Sequence, residues 1–293
     1  MGSDEDKRRR QEECDQFEQR HRKVLQLLRP DDLHAGNLVL TLDFFAHGTR
    51  FYKVTRRIDA EHVAPHRLPA QQQVVLLRTL VDSLRLLHEQ DIVHGDLKPD
   101  NVLLRRPKGS DLYSAKLIDF DDAYPAKQPP PRDIIGGDPL YGAPEWLRYL
   151  RGETAVSAAD LTQAVDMFAF GLLVHTYLFG APPAHAPYDC PAAAVIDGVP
   201  LVWDRRLGGP LRELLGSLTR PEPGARPDVT RTAEILDGED VISSVMAKRD
   251  PKPGAKTSRV RVNVDRAGKP APIVKSQSRL RINVNGRRFP TTG

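Results

Sequence analysis

Cysteine is scarce in this 293-residue chain: Cys14 and Cys190 are the only two. Two thiols build neither a disulfide framework nor a cysteine-rich metal centre, so both are read as ordinary reduced side chains. No basic, apolar and small-residue leader opens the chain. Long apolar runs are missing too. The best candidate, residues 164–182, carries Asp166 and His175 and reads as a buried helix, not a membrane span. These absences predict a cytoplasmic protein without membrane association. Aromatic residues are few, at 6%, while apolar residues at 40% suffice for a core.

The formal net charge of +4 hides an asymmetry. Residues 248–293 carry 13 Lys/Arg against Asp250 and Asp265, a net of +11, which leaves −7 for residues 1–247. Residues 248–257 read as a linker. Beyond it, Ser258-Arg259-Val260-Arg261-Val262-Asn263-Val264-Asp265 recurs as Ser278-Arg279-Leu280-Arg281-Ile282-Asn283-Val284-Asn285. Both copies alternate apolar and polar residues, as strands do. The basic tail predicts an acidic partner, either the body of the protein or another molecule. With no aromatic residues interleaved for base stacking, nucleic acid is the weaker expectation.

Before the tail, helical and strand patterns alternate. Residues 4–29 are densely charged, with Phe17, Val24, Leu25 and Leu28 at helical spacing, and Arg29-Pro30-Asp31-Asp32 ends the pattern. Segments 38–45 and 50–58 flank Ala46-His47-Gly48-Thr49 and read as a hairpin. Residues 69–90 place Val74, Leu77, Leu80, Val81, Leu84 and Leu87 on one helical face, behind a first-turn Pro69.

The chemistry concentrates just after that helix. His94-Gly95-Asp96-Leu97-Lys98-Pro99-Asp100-Asn101 follows the apolar Ile92-Val93 and precedes Val102-Leu103-Leu104. Lys116-Leu117-Ile118-Asp119-Phe120-Asp121-Asp122 comes next, its Asp119 at the end of a predicted strand. Each apolar segment delivers polar side chains to a loop. Asn101 and Asp119 offer the hard oxygens that suit Mg²⁺ in company with substrate phosphates. Asp96 is a carboxylate free to orient or accept a hydroxyl proton, and Lys98 an ammonium able to neutralise a phosphoryl group.

This constellation resembles the protein kinase core, whose signature is His-Arg-Asp-Leu-x-x-x-Asn, then Asp-Phe-Gly, then Ala-Pro-Glu. Here the third motif is Ala143-Pro144-Glu145. The resemblance covers roughly residues 15–240 and implies an α+β, two-lobed kinase-like fold with a mainly helical large lobe. It implies Asp96 as catalytic base and Lys98 as γ-phosphate contact, of the serine/threonine rather than the tyrosine type. Asn101 and Asp119 follow as Mg²⁺ ligands, and ATP with Mg²⁺ and a protein hydroxyl as reactants. Asp166 is implied as the buried anchor of the catalytic loop, and Arg226 in Gly224-Ala225-Arg226-Pro227 as the partner of Glu145. His94 reads as packed rather than catalytic. The expected divisions are a partial small lobe at 1–62, a large lobe at 63–242 and a basic tail at 243–293.

The departures are specific. No glycine-rich segment or Val-Ala-Ile-Lys-like strand precedes the first helix, and His21 falls where that helix ordinarily offers a glutamate. Two readings stand: a segment upstream of Met1 carries these features, or the small lobe is degenerate. Asp121 replaces the glycine of the second motif. Asp138 replaces the threonine that touches the catalytic Asp and Lys, and is expected to repel Asp96. No Ser or Thr lies between Asp119 and Glu145, so activation by phosphorylating that loop is not expected. The alternatives are a pseudokinase that binds nucleotide without transfer and a small-molecule phosphotransferase of the aminoglycoside or choline type. Ala143-Pro144-Glu145 with Arg226 argues against the latter.

Overall fold

The computed structural model describes residues 4–28, 37–47 and 50–247. The two arginine-bearing repeats lie outside the described residues, and so does most of the predicted tail.

A single helix and a single hairpin make up the small lobe among the described residues. Helix α1 spans Asp4–Leu28. It buries Val24 and Leu28 and holds Phe17 against Phe44, whose ring lies 6.0 Å away. Strands β1 (Thr41–His47) and β2 (Arg50–Thr55) are antiparallel, with Phe44 opposite Lys53 and His47 opposite Arg50. Opposed residues share a sheet face, so Lys53 lies on the Phe44 face, towards α1. Phe45, Tyr52 and Val54 are exposed.

The large lobe is built round α2 (Ala70–His88), with Pro69 at the N-cap position, one residue ahead of the first turn where the sequence reading put it. Leu76, Leu80, Leu84 and Leu87 are almost completely buried. Helix α2 packs on α7 (Val229–Asp237), on α8 (Glu239–Ala247) and on strand β5 (Ser114–Leu117). Helical structure thus runs on past residue 242, with Val241 and Val245 buried. The apolar run predicted to be a buried helix is α4 (Ala164–Phe179), and Gly180 ends it in the left-handed conformation that glycine adopts without strain. Helix α6 (Gly209–Leu218) packs on α4, and α3 (Pro144–Leu150) on α5 (Pro191–Ile196).

Short ladders deliver the loops. Strand β3 (Ile92–Val93) pairs with β6 (Tyr124–Pro125), and β4 (Val102–Arg105) with β5. The catalytic-loop candidate lies between β3 and β4, and the Asp119 loop between β5 and β6. The Ile118 N–H donates to the Asn101 carbonyl at 3.0 Å, tying the two loops together.

The proline-rich stretch after β6, residues 126–132, is tied down. Lys127 N–H donates to Leu161 O at 2.9 Å, Tyr149 Oη to Pro130 O at 3.2 Å, and Arg132 to Val156 O at 3.1 Å. Proline lacks an N–H but keeps its carbonyl, and one of these bonds uses a proline carbonyl.

Candidate active site

Asp166 holds the catalytic-loop candidate by its backbone. Its Oδ2 accepts from the His94 N–H at 2.8 Å and its Oδ1 from the Gly95 N–H at 3.1 Å, while His88 Nε2 lies 3.0 Å from Oδ2. The carboxylate is 1% exposed, and these partners satisfy it. His94 is fully buried: its Nδ1 accepts from the Asp96 N–H at 3.3 Å, and its Nε2 sits 3.1 Å from Ile118 O. Both ring nitrogens are occupied, which agrees with a packing role.

Gly95 stands where the kinase signature has arginine. Its φ is +78°, and a Cβ there would lie 2.5 Å from the Asp122 carbonyl. Both the conformation and the close approach require glycine.

Asp96 and Asn101 are buried side by side. Asn101 Nδ2 donates to Asp96 O and to Asp96 Oδ2, each at 2.8 Å. Lys98 Nζ lies 2.6 Å from the same Oδ2. Asp96 Oδ1 is buried and has no hydrogen-bond partner. Asp119 has a φ of +62°, a sparsely populated region that aspartate tolerates better than most residues. Its side chain is 45% exposed.

The repulsion expected between Asp138 and Asp96 is screened by Lys98, whose Nζ lies 3.7 Å from Asp138 Oδ2. Burial lowers the Lys98 pKa, but Asp96, Asp138 and Asp122 outweigh it and hold the amine above its ordinary value. Asp138 Oδ1 also accepts from the Leu140 N–H at 2.8 Å. The carboxyl that is pushed up is Asp122. Burial first, then the charges of Asp96, Asp121 and Asp119, raise it to about 6, against the opposing pull of Arg20. Asp96 and Asp119 thus both lie close enough to act on one carboxyl.

Lys53 of β2 faces the same cluster. Its Nζ lies 3.3 Å from Asp119 Oδ1 and 2.5 Å from Asp121 Oδ1. His21 of α1 lies 3.8 Å from Asp121 Oδ1, and neither of its ring nitrogens has a hydrogen-bond partner. Burial, the largest influence, lowers the His21 pKa. Glu18, one turn earlier, pairs with Arg22 at 2.8 Å. Lower in the lobe, Arg226 grips Glu145 through two bonds of 2.7 and 2.8 Å, both residues buried.

Residues 5–232 match the protein kinase domain family. The chain belongs to that family. Among curated proteins it is similar to serine/threonine-protein kinase ULK3 of Homo sapiens, 33% identical over 166 residues, which are 56% of this chain and 30% of the relative. It is 28% identical over 208 residues to serine/threonine-protein kinase GL21140 of Drosophila persimilis, covering 69% of this chain and 24% of the relative. Serine/threonine-protein kinase PDK1 of Cryptococcus neoformans is 29% identical over 154 residues, 52% of this chain and 12% of the relative. The chain spans less than a third of the length of each of these relatives. Protein kinase domains in general use ATP and Mg²⁺.

The residues of this kinase domain suit that pair. Among the described residues no cluster of three or more His, Cys, Asp or Glu could hold a metal unaided. Mg²⁺ needs fewer protein ligands where phosphates complete its shell. With Asn101 Nδ2 spent on Asp96, its amide oxygen and the Asp119 carboxylate are the hard donors on offer. A cavity of about 410 Å³ opens elsewhere, lined by His88, Gln163, Arg226 and Asp228 among others, and none of the four candidate residues borders it. Among the described residues no helix is long and apolar enough to cross a membrane.

Sequence reasoning named Asp96, Lys98, Asn101 and Asp119 as candidates, and the structure sets them on adjacent loops; it did not single out Lys53 or Asp122. Lys53 sits in a strand with no motif round it, and only the fold carries it to Asp121. Asp122 was visible only as a second acid after the motif.

Proposed function

We propose that the chain is a protein serine/threonine kinase domain that transfers the γ-phosphoryl group of ATP to a hydroxyl of a protein substrate. The reading is carried by the geometry of Asp96. One of its oxygens is fixed by Asn101 and Lys98, while the other is buried and left without a partner. That free oxygen is suited to accept the proton of an incoming hydroxyl. The new bond joins the substrate oxygen to the γ-phosphorus as the bond from that phosphorus to the β–γ bridging oxygen breaks and ADP leaves. Lys98, two residues on, neutralises charge on the group in flight. Asn101 and Asp119 would hold Mg²⁺, which when bound spreads the phosphate charge. The pairing of Glu145 with Arg226 supports a protein substrate over a small-molecule one. Two free thiols and a need for ATP suit the cytoplasm. The basic residues 248–293 suit an acidic protein surface better than nucleic acid.

One observation favours a second reading, nucleotide binding without transfer: the ion pair of Lys53 with Asp119, a proposed Mg²⁺ ligand. Transfer from radiolabelled ATP to a generic protein substrate separates the two. The kinase reading expects transfer that Asp96→Asn abolishes without loss of nucleotide binding. Transfer that survives Asp96→Asn and Asp119→Asn together would remove this assignment of roles. Mg·ATP should raise the melting temperature, and Asp119→Asn should remove that rise.

A further inference from the structure

In the protein kinase fold a strand lysine reaches the nucleotide's phosphates, and a glutamate of the small-lobe helix holds it there. Among the described residues the helix brings no carboxylate to that place. Glu18 is engaged with Arg22, and the side chains of α1 that face the metal-loop acids are Arg20 and His21. Yet the loop is not short of a cation. Lys53 enters from the opposite strand of the hairpin, its backbone fixed by the pairing with Phe44 and its amine shared between Asp119 and Asp121. Phe44 is in turn wedged against the His21 ring at 4.8 Å, so α1 supports the strand that carries the lysine.

We propose that Lys53 is the phosphate-binding cation of this kinase domain and that Asp121 is the residue that positions it. The ion pair is transposed: its base comes from β2 and its acid from the metal loop, at the position where the motif ordinarily has glycine. Three features carry this. The amine touches Asp119, the residue that would bear the metal, which puts it beside the place a triphosphate must occupy. Asp121 gives the amine a second anchor, so its place does not depend on Asp119. Lys98, the other lysine of the site, lies instead beside the catalytic-base candidate, between Asp96 and Asp138. Replacement of glycine by Asp121 and of the helix glutamate by His21 then form one exchange. A second acid on the helix would compete for the lysine, and a neutral imidazole does not.

The assignment rests on the kinase reading above, and its test keeps the two apart. Binding of Mg·ADP to the full chain is measured by calorimetry for the wild type, Lys53→Met, Lys53→Arg and Asp121→Gly. Loss of a charge-assisted phosphate contact predicts binding weaker by about tenfold or more in Lys53→Met. Lys53→Arg should retain most of the affinity, and Asp121→Gly should lose several-fold with the lysine intact. Lys53→Met binding as tightly as wild type, or more tightly, would overturn the proposal and make Lys53 a plug over the metal ligand. A second measurement needs no variant. An acyl-phosphate derivative of ATP acylates an amine beside its phosphates: an amide forms at Nζ, the acyl–phosphate bond breaks, and the nucleotide leaves. Mass spectrometry of the digested wild type should find the label on Lys53, protected by excess Mg·ATP. Label on Lys98 without Lys53 would refute the assignment and keep the nucleotide site. No ATP-protected label on either lysine would remove the kinase reading, and this proposal with it.

Discussion

Two acid–base pairs in this kinase domain look alike on paper and differ in the fold. Arg226 and Glu145 are 0% and 4% exposed at their side chains, joined by two parallel bonds. Arg226 is further held by the carbonyls of Arg220, Ala164 and Pro221, and its guanidinium lies 5.1 Å from the centre of the Phe168 ring. Lys53 and Asp121 are 29% and 36% exposed, and the lysine is shared with Asp119. The first pair has every arginine donor spent and both side chains almost fully buried. It can only be kept or broken. The second has solvent on one side and a choice of partners, so it can exchange them for a ligand. A closed pair serves the fold, whereas an open one serves binding.

The sharpest way to break this contrast is to cut the closed pair. Arg226→Met leaves Glu145 buried and unpaired, and should cost about 3–5 kcal/mol in urea unfolding. A loss below about 1 kcal/mol would mean the pair is not structural. Next in size is the glycine of the catalytic-loop candidate. Gly95→Ala forces a left-handed alanine against the Asp122 carbonyl and should cost about 2–3 kcal/mol. Nucleotide binding should fall with it, because Asp96 is the next residue.

Asp122 sharpens the contrast through pH. Its folded value of about 6 lies above the value of about 3.9 in an unfolded chain. The folded state therefore holds the proton more tightly, and the ionised carboxyl opposes folding above pH 6. The stability of the nucleotide-free protein should gain from this group as pH falls from 7.5 towards 4, the reverse of a paired carboxylate. Asp122→Asn should stabilise the protein by about 1–3 kcal/mol at pH 7.5 and flatten that part of the profile. The smallest effect belongs to the open pair itself. Lys53→Met should change the unfolding free energy by less than about 1 kcal/mol, since partly exposed ion pairs contribute little. A large loss of stability would make Lys53 a structural residue like Arg226.

The large lobe was legible where local rules suffice. The face of α2 follows from its apolar spacing, and the buried character of α4 from an apolar run interrupted by Asp166. The partners of that aspartate followed only from the resemblance, yet it does hold the catalytic-loop backbone. The small-lobe hairpin was placed to within three residues at its ends. The charge cluster was not legible. The expected conflict of Asp138 with Asp96 left out Lys98 between them, and the field that matters converges on Asp122. Pairwise reading along the chain does not sum charges that arrive from three separate segments, α1, the Asp96 loop and the Asp119 loop. Nor did the prolines between residues 125 and 132 betray that the segment is anchored, because its bonds go to α3 and to the turns near Val156 and Leu161.

Sequence alone was enough for the family of this protein and for which side chains stand on its two candidate loops, and in what order. Those residues are neighbours in the chain, and short strands carry them to adjacent loops whatever surrounds them. Tertiary structure decided which charge faces which. The partner of Lys53 lies 68 residues away, and that of Glu145 lies 81 residues away. Coulomb energy depends on distance and burial in the folded state, and neither is written in the spacing of residues along a chain.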